Sequence, residues 1–275
     1  MIWPWRRGPD VPLSTLIFDV DGTLAETEEW HRQAFNLAFK NMNLGWEWSH
    51  TQYLDLLLVT GGKERIRHFA TRHDTDFMSS PDAERRIKSL HKMKTGFYAK
   101  LIGSGDVKLR PGIERLMDEA LSNGLRLAIS TTTTRANVMN LLTATLGKNG
   151  ADKFTTISAA DSAEIKKPAP DVYVDVLDKL NCSAEDCITF EDSQNGLLSA
   201  RRANIETVVT LSEFTSCDDH MDAIAVLSDL GEPDQPCTAV QGDLMGRDCV
   251  DLDLLHIWRQ RPWLTGINAV EVSIG

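Results

Sequence analysis

Leu16-Ile17-Phe18-Asp19-Val20-Asp21-Gly22-Thr23-Leu24 is the stretch on which the chain is organised. The apolar run Leu16 to Phe18 predicts a short buried strand, ending in two acidic residues and a Gly-Thr turn. In an open parallel sheet, ligands collect beyond the carboxyl ends of the strands. Asp19 and Asp21 therefore belong at a crevice, on rigid backbone. Carboxylates this close repel unless a cation or a proton lies between them. Hard oxygen ligands of this kind suit magnesium, which keeps several waters and takes one or two carboxylates. The pair also offers a nucleophile, Asp19, beside a proton donor, Asp21. Taken alone, Asp-x-Asp is equally an acidic strand-to-loop turn.

The flanking chain supplies the context. Trp30, Ala34, Leu37, Ala38 and Phe39 recur at helical spacing, and a second helical piece runs near Tyr53, Leu56 and Leu57. Thr60-Gly61-Gly62-Lys63-Glu64-Arg65 is a Gly-rich turn with two cations, after which Ile66, Phe69 and Ala70 resume a helix. Ser80-Pro81-Asp82 predicts a helix start with Ser as cap and Pro first, its helix carrying Ile87, Leu90 and Phe97. Between Thr27 and Leu101 there are helices and no convincing strand, and Gly103 to Asp106 reads as a linker. Beyond it strands and helices alternate. Arg110-Pro111-Gly112 opens a helix closed by Asn123-Gly124. Strands are predicted at Leu125–Ile129, Phe154–Ile157, Cys187–Phe190 and Thr207–Val209. Helices are predicted at Asn137–Leu146, from Lys166-Lys167-Pro168-Ala169-Pro170-Asp171, and at Gly196–Ala203. Such alternation gives a parallel sheet covered on both faces. The fold predicted is α/β: a Rossmann-like parallel-sheet core from residues 1–26 and 107–275, with an inserted all-helical cap at 27–106. The cap leaves the core directly after Asp21 and Gly22, placed to close over the crevice and exclude water. In the terminal segment Leu252, Leu255 and Trp258 suggest one helix.

Bulk properties narrow the partners. In 275 residues, 42% apolar and 25% charged describe an ordinary globular protein of one large or two modest domains. A net charge of −11 argues against nonspecific nucleic-acid binding, and an anionic substrate then needs a local basic site. Five cysteines, Cys182, Cys187, Cys217, Cys237 and Cys249, follow no metal-ligand spacing, so thiols in a reducing cytoplasm are expected. No apolar run approaches the roughly 18 residues of a membrane span. Met1 to Arg7 lacks the apolar stretch of a signal peptide, and Trp3 and Trp5 are expected to pack on the body.

Three further strand ends carry suitable chemistry. Thr131 offers a hydroxyl and the following N–H to a phosphoryl oxygen, or is one threonine of a polar loop. Lys167 places an ammonium where a pentavalent phosphorus builds charge, or is a surface lysine. Glu191-Asp192 adds carboxylates to a magnesium shell, or is an acidic pair near a helix N-terminus. Together the order is Asp-x-Asp-Gly-Thr, strand-Thr, Lys-Pro-x-Pro-Asp and Glu-Asp-Ser-x-Asn-Gly. It resembles the haloacid dehalogenase-type phosphatase superfamily over about residues 16–209. The resemblance implies an aspartyl-phosphate on Asp19, with Asp21 protonating the leaving oxygen and then activating water. It implies Thr131 and Lys167 as phosphate holders. It also implies Mg2+ bound by Asp19, the backbone carbonyl of Asp21, and Asp192, with Glu191 as a further candidate.

The helical insertion is similar to the cap subclass of β-phosphoglucomutase and phosphoglycolate phosphatase. More narrowly it resembles the CbbY group, which dephosphorylates xylulose 1,5-bisphosphate, an inhibitor of Rubisco. The residues that carry this likeness are Ala25 to Glu29 with His31, Gly61-Gly62-Lys63-Glu64-Arg65-Ile66, His91 with Lys94, Thr131-Thr132-Thr133 and the double lysine before Pro168. A bisphosphate has two dianionic ends, and the one away from the metal needs its own cations. Lys63 and Arg65 can supply them, with close approach at Gly61 and Gly62. His91 and Lys94 lie three apart, on one helix face. Glu28 can accept from sugar hydroxyls. Without the resemblance these residues read as a solvated helix face.

The function expected is therefore magnesium-dependent hydrolysis of a sugar bisphosphate, xylulose 1,5-bisphosphate to xylulose 5-phosphate. The alternatives are a phosphosugar mutase, a phosphoglycolate-type phosphatase, and a non-catalytic partner protein that has kept the fold. The expected partner is a small phosphorylated sugar, with no nucleic acid and no membrane, and the chain is read as a monomer. The segment after Leu211 carries no assignable motif.

Overall fold

The computed structural model describes residues 12–260, so the N-terminal tryptophans Trp3 and Trp5 lie outside the described residues. The central strand β1 (Thr15–Phe18) is flanked by β2 (Arg126–Ser130) and β4 (Cys187–Glu191). With β3 (Thr156–Ser158), β5 (Glu206–Thr210), β6 (Ala225–Leu227) and β7 (Ala239–Gln241), the sheet order is β3-β2-β1-β4-β5-β6-β7. Every strand-to-strand pair is parallel except β6–β7, so the sheet is mixed rather than wholly parallel. Neither β6 nor β7 was predictable. Each has three residues, too few to show alternation, and all three of β7 are exposed.

Register decides where the chemistry falls. Phe18 lies opposite Ile129 on one side and Phe190 on the other. Asp19 therefore follows at the level of Ser130 and Glu191, and its N–H donates to Phe190 O at 3.0 Å. All four residues of β1 are buried, as a strand covered by helices on both faces must be.

Between β1 and the next core helix lie only helices: α1 (Glu28–Asn41), α2 (His50–Leu57), α3 (Gly62–His73), α4 (Thr75–Ser79) and α5 (Ala83–Ile102). They bury an apolar cluster of their own, dense in rings, with Phe35, Phe39, Trp48, Tyr53 and Phe69 packed together. The core helices are α6 (Ile113–Ser122), α7 (Arg135–Leu146), α8 (Asp171–Leu180), α9 (Gln194–Arg202) and α10 (Leu252–Gln260). The last is the terminal helix expected from Leu252, Leu255 and Trp258, all buried. No helix among the described residues is long and apolar enough to cross a membrane.

Several boundaries differ from expectation. α3 begins at Gly62, so Lys63, Glu64 and Arg65 are helical and not part of a turn ahead of it. Ser80 does not cap α5; its hydroxyl donates to Asp82, 2.5 Å away, and Asp82 is the residue before the helix. β3 begins at Thr156, because a 3-10 turn at Gly150–Lys153 occupies the preceding chain and Phe154 packs as a buried loop residue. α8 starts at Asp171, leaving Lys166 to Pro170 in a loop that carries a cis Lys167–Pro168 bond.

Candidate active site

Beyond the carboxyl ends of β1 and β4, Asp19, Glu191 and Asp192 lie with a carboxylate oxygen of each within 4.8 Å of the others, all buried. Lys167 reaches them from the loop before α8. Its ammonium donates to Asp19 Oδ1 at 2.6 Å, Glu191 Oε1 at 2.6 Å and Ser130 O at 2.9 Å. Ser212 and Thr215 donate to Asp192 Oδ2 at 2.8 and 3.0 Å. Burial pushes Asp19 up to about 8, Lys167 pulling against it and Glu191 adding to it. Burial, with Asp19 and Glu191 nearby, raises Asp192 well above the carboxylate range.

One ammonium cannot balance three buried carboxylates, and Glu191 Oε2 is buried without a partner. The donors are hard oxygens held on strand ends, so the set fits Mg2+. Two glycines keep the place open. A Cβ on Gly22, which has φ +84, would lie 2.1 Å from Asp192 Oδ2, and one on Gly196 would lie 1.9 Å from Glu191 Oε2.

Asp21 faces the other way, toward the helical insertion. Its Oδ1 accepts from Thr27 Oγ1 at 2.5 Å and from His31 Nε2 at 2.9 Å. His31 Nδ1 lies 2.6 Å from Lys94 Nζ, so it accepts there and the ring proton is on Nε2. His31 also stacks on Tyr98, with ring centroids 4.0 Å apart. Burial pushes Asp21 up, but His31, Thr27 and Lys94 outweigh it and bring it down to about 2. Burial lowers Lys94 to about 7. His31 and Lys94, read from the sequence as substrate contacts, are thus bonded to each other, and His31 to Asp21.

Two chambers meet at this point. One, of about 160 Å³, is walled by Asp19, Thr131, Lys167, Asp192 and Asn195. The other, of about 490 Å³, is lined by Lys63, His91, Lys94, Arg135 and Lys166, with Thr133. Asp21, Glu28, Gly61, Arg65 and Thr132 belong to both. Gly62, at the start of α3, also lines the larger chamber. Thr131 is buried and its hydroxyl accepts from Thr133 N at 3.2 Å. Arg65 is anchored: it donates to Leu56 O at 3.1 Å and to Tyr53 Oη at 2.8 Å, and Tyr53 in turn donates to Glu28 at 2.7 Å. Burial lowers His91 to about 4, with Lys94, Lys63 and Lys166 adding to it.

The helical layer is docked over the site. Lys166 pairs with Glu64 at 2.6 Å, and Asn195 donates to Thr60 Oγ1 at 3.2 Å. Phe214 packs against Tyr53 and His50. The chain just after Leu211, which bore no motif, thus supplies Ser212 and Thr215 to Asp192 and Phe214 to the helical layer. Arg135 and Tyr173 also escaped sequence reading, and Thr27 was read only as part of the Ala25 to Glu29 stretch, with no role assigned. Only Lys166 had a signal, the double lysine.

Residues 16–210 match the family described as haloacid dehalogenase-like hydrolase. The chain is 48% identical over 224 residues to the plasmid protein CbbY of Cupriavidus necator, covering 82% of this chain and 88% of that one. It is 51% identical over 207 residues to CbbY of Rhodobacter capsulatus, covering 75% and 89%. Among solved structures it is similar to CbbY from Rhodobacter sphaeroides in complex with phosphate, at 39% identity and TM-score 0.74, covering 79% of this chain and 94% of that one. A mutant of the same protein was solved in complex with xylulose 1,5-bisphosphate, with the same scores. β-Phosphoglucomutase from Clostridium difficile, 20% identical with TM-score 0.67 over 90% of this chain and 97% of that one, shares the fold. This chain belongs to the haloacid dehalogenase-like hydrolases, in their capped subclass, among the CbbY-type proteins.

Proposed function

We propose that the chain hydrolyses xylulose 1,5-bisphosphate to xylulose 5-phosphate and inorganic phosphate, with residues 27–106 as the lid over the reacting end. The observation that carries this reading is the pair of joined chambers. One holds the carboxylates, Thr131 and Lys167; the other is lined by cations. A substrate with one phosphate at Asp19 and a second anionic end in the larger chamber matches both. The 1,5-bisphosphate is the ligand of the R. sphaeroides relative.

In this reading an Asp19 carboxylate oxygen attacks phosphorus and the P–O bond to the sugar breaks. The leaving oxygen takes its proton from Asp21, which then removes a proton from the water that attacks the aspartyl-phosphate. Thr27 and His31 fix Asp21 through its Oδ1 and leave Oδ2 for the substrate. Lys167 and the Thr131 hydroxyl steady phosphoryl oxygens as their charge grows. Asp19, Asp192 and the Asp21 carbonyl, with Glu191 alongside, would hold magnesium, which when bound would supply charge neutralisation for the transferring group. Gly61, Gly62, Lys63 and Arg65 hold the distal phosphate with Thr132 and Thr133, His91 stands beside it, and Glu28 meets sugar hydroxyls. We place the activity in the cytoplasm, which suits the five free thiols.

The test is phosphate release with magnesium across sugar mono- and bisphosphates. Xylulose 1,5-bisphosphate should give the highest kcat/KM, with no bisphosphate activator needed. A requirement for an activator, or an equal preference for glycolate phosphate, would overturn this substrate assignment.

A further inference from the structure

Lys167 has its N–H bonds committed to Asp19, Ser130 O and Glu191. Its position against Asp19 therefore depends on Glu191 staying where it is. Glu191 is fixed by a residue outside the motif set. Tyr173, on α8 and wholly buried, donates its hydroxyl to the same Oε1 that takes Lys167. The Thr189 hydroxyl, two residues before Glu191 on β4, lies 3.1 Å from the Tyr173 oxygen and 3.1 Å from Ile17 O, its one proton shared between these acceptors. The Tyr173 ring also sits 5.1 Å from Lys167 Nζ, within cation–π reach. Burial, with Glu191 beside it, holds the phenol well above its usual range, so it remains a donor.

Remove the hydroxyl and Glu191 keeps only Lys167 on Oε1, while Oε2 is already buried without a partner. A carboxylate held at one point can swing, and the ammonium swings with it. We propose that Tyr173 is a positioning residue for phosphoryl transfer: through Glu191 it sets the Lys167 ammonium against Asp19. This rests on Asp19 being the nucleophile and is independent of which sugar is the substrate.

The experiment uses the full chain with magnesium and p-nitrophenyl phosphate. Steady-state kinetics and thermal unfolding are measured for the wild type, Tyr173→Phe, Glu191→Gln and the double variant. Tyr173→Phe should lower kcat about tenfold with KM changed less than about twofold, the pattern of a lost interaction specific to the transition state. Its melting temperature should stay close to the wild type, since the ring is kept. In the Glu191→Gln background the same change should cost less than about twofold, because Tyr173 acts only through that carboxylate. Wild-type kcat in Tyr173→Phe, a loss confined to KM, or equal losses in both backgrounds would overturn the proposal. If Tyr173→Phe folds poorly, Thr189→Val decides: a several-fold fall in kcat supports the chain of contacts, and unchanged kcat overturns it. A wild-type protein that releases no phosphate from any ester would instead remove the Asp19 reading, and this inference with it.

Discussion

Asp19 and Asp21 are two residues apart and shift in opposite directions. Asp19, buried among carboxylates, rises to about 8, while Asp21, held by His31 and Thr27, falls to about 2. Taken alone, these directions would make Asp19 the acid and Asp21 the ionised partner, so the roles rest on position: Asp19 stands in the carboxylate cluster beside Lys167, and Asp21 faces the helical layer. Asp19→Asn should abolish turnover, because an amide is a poor nucleophile. Asp21→Asn should lower kcat by about two to four orders of magnitude while phosphate still binds. Single-turnover kinetics and calorimetric titration with phosphate check both, and near wild-type turnover in either variant removes its role. His91 gives a pH prediction. Its folded value of about 4 lies below its ordinary 6.5, so between these the unfolded chain takes up a proton that the folded chain refuses. Stability is therefore fully present above pH 6.5 and is lost as pH falls through 4. The loss is about 3 kcal/mol. Urea unfolding at acid and neutral pH should show this loss shrinking in His91→Gln; an unchanged acid limb would mean a solvated imidazole.

The helices α1 to α5 hold together through aromatic packing rather than through helix propensity. Trp48 is wholly buried and touches Phe35, Phe39, Tyr53 and Phe69. Trp48→Ala should cost about 3–5 kcal/mol, read as a lower urea midpoint. A cost under about 1 kcal/mol would mean that this layer takes its order from the core beneath it. Among the cations of the larger chamber, Lys63 is a cleaner probe than Arg65, whose guanidinium also ties α2 to α3 through Leu56 and Tyr53. If Lys63 holds a distal phosphate, Lys63→Ala removes a charge-assisted contact of about 1.5–3 kcal/mol. That is about one to two decades in kcat/KM for xylulose 1,5-bisphosphate, with p-nitrophenyl phosphate nearly unaffected. Equal losses on both substrates would assign Lys63 to folding or closure. The Gly-Gly-Lys-Glu-Arg motif was legible because it is short and charged, although Gly62 to Arg65 open α3 and are not a turn ahead of it. That Arg65 also ties its own layer together was not, since those partners are a distant phenol and backbone carbonyls.

Across the molecule, charge and stability are coupled at the acidic cluster. A chain of net charge −11 that buries three of its carboxylates beside one lysine gains stability from a divalent cation. Magnesium at a hundred times its dissociation constant should add about 2.7 kcal/mol, seen as a higher melting temperature. The shift should vanish in Asp192→Asn, and its survival there would place the cation elsewhere. The sheet makes this cluster, because the register of β1 between β2 and β4 brings Asp19 level with Ser130 and Glu191. Arg110 then ties the assembly together. It donates to the carbonyls of Gly22, Leu211 and Ser228 and pairs with Glu26 at 3.3 Å, joining the Gly22 turn to the chain just after β5 and β6 and to the chain entering α1.

Strand–helix alternation, the helical insertion after Gly22 and the order of Asp19, Asp21, Thr131, Lys167 and Glu191-Asp192 were all readable in one dimension. Each is a local pattern: an apolar run, a helical period, or a polar residue at a strand end. The partners of those residues were not readable. Ser212 and Thr215 on Asp192, Tyr173 on Glu191, and the Lys94–His31–Asp21 relay join positions that only packing brings together. The antiparallel edge strand β7 escaped for a related reason, since three exposed residues carry no periodic signal. Chain order therefore determined which groups stand at the strand ends. Tertiary packing decided which of them are buried together, and burial sets both their charge and what each is able to touch.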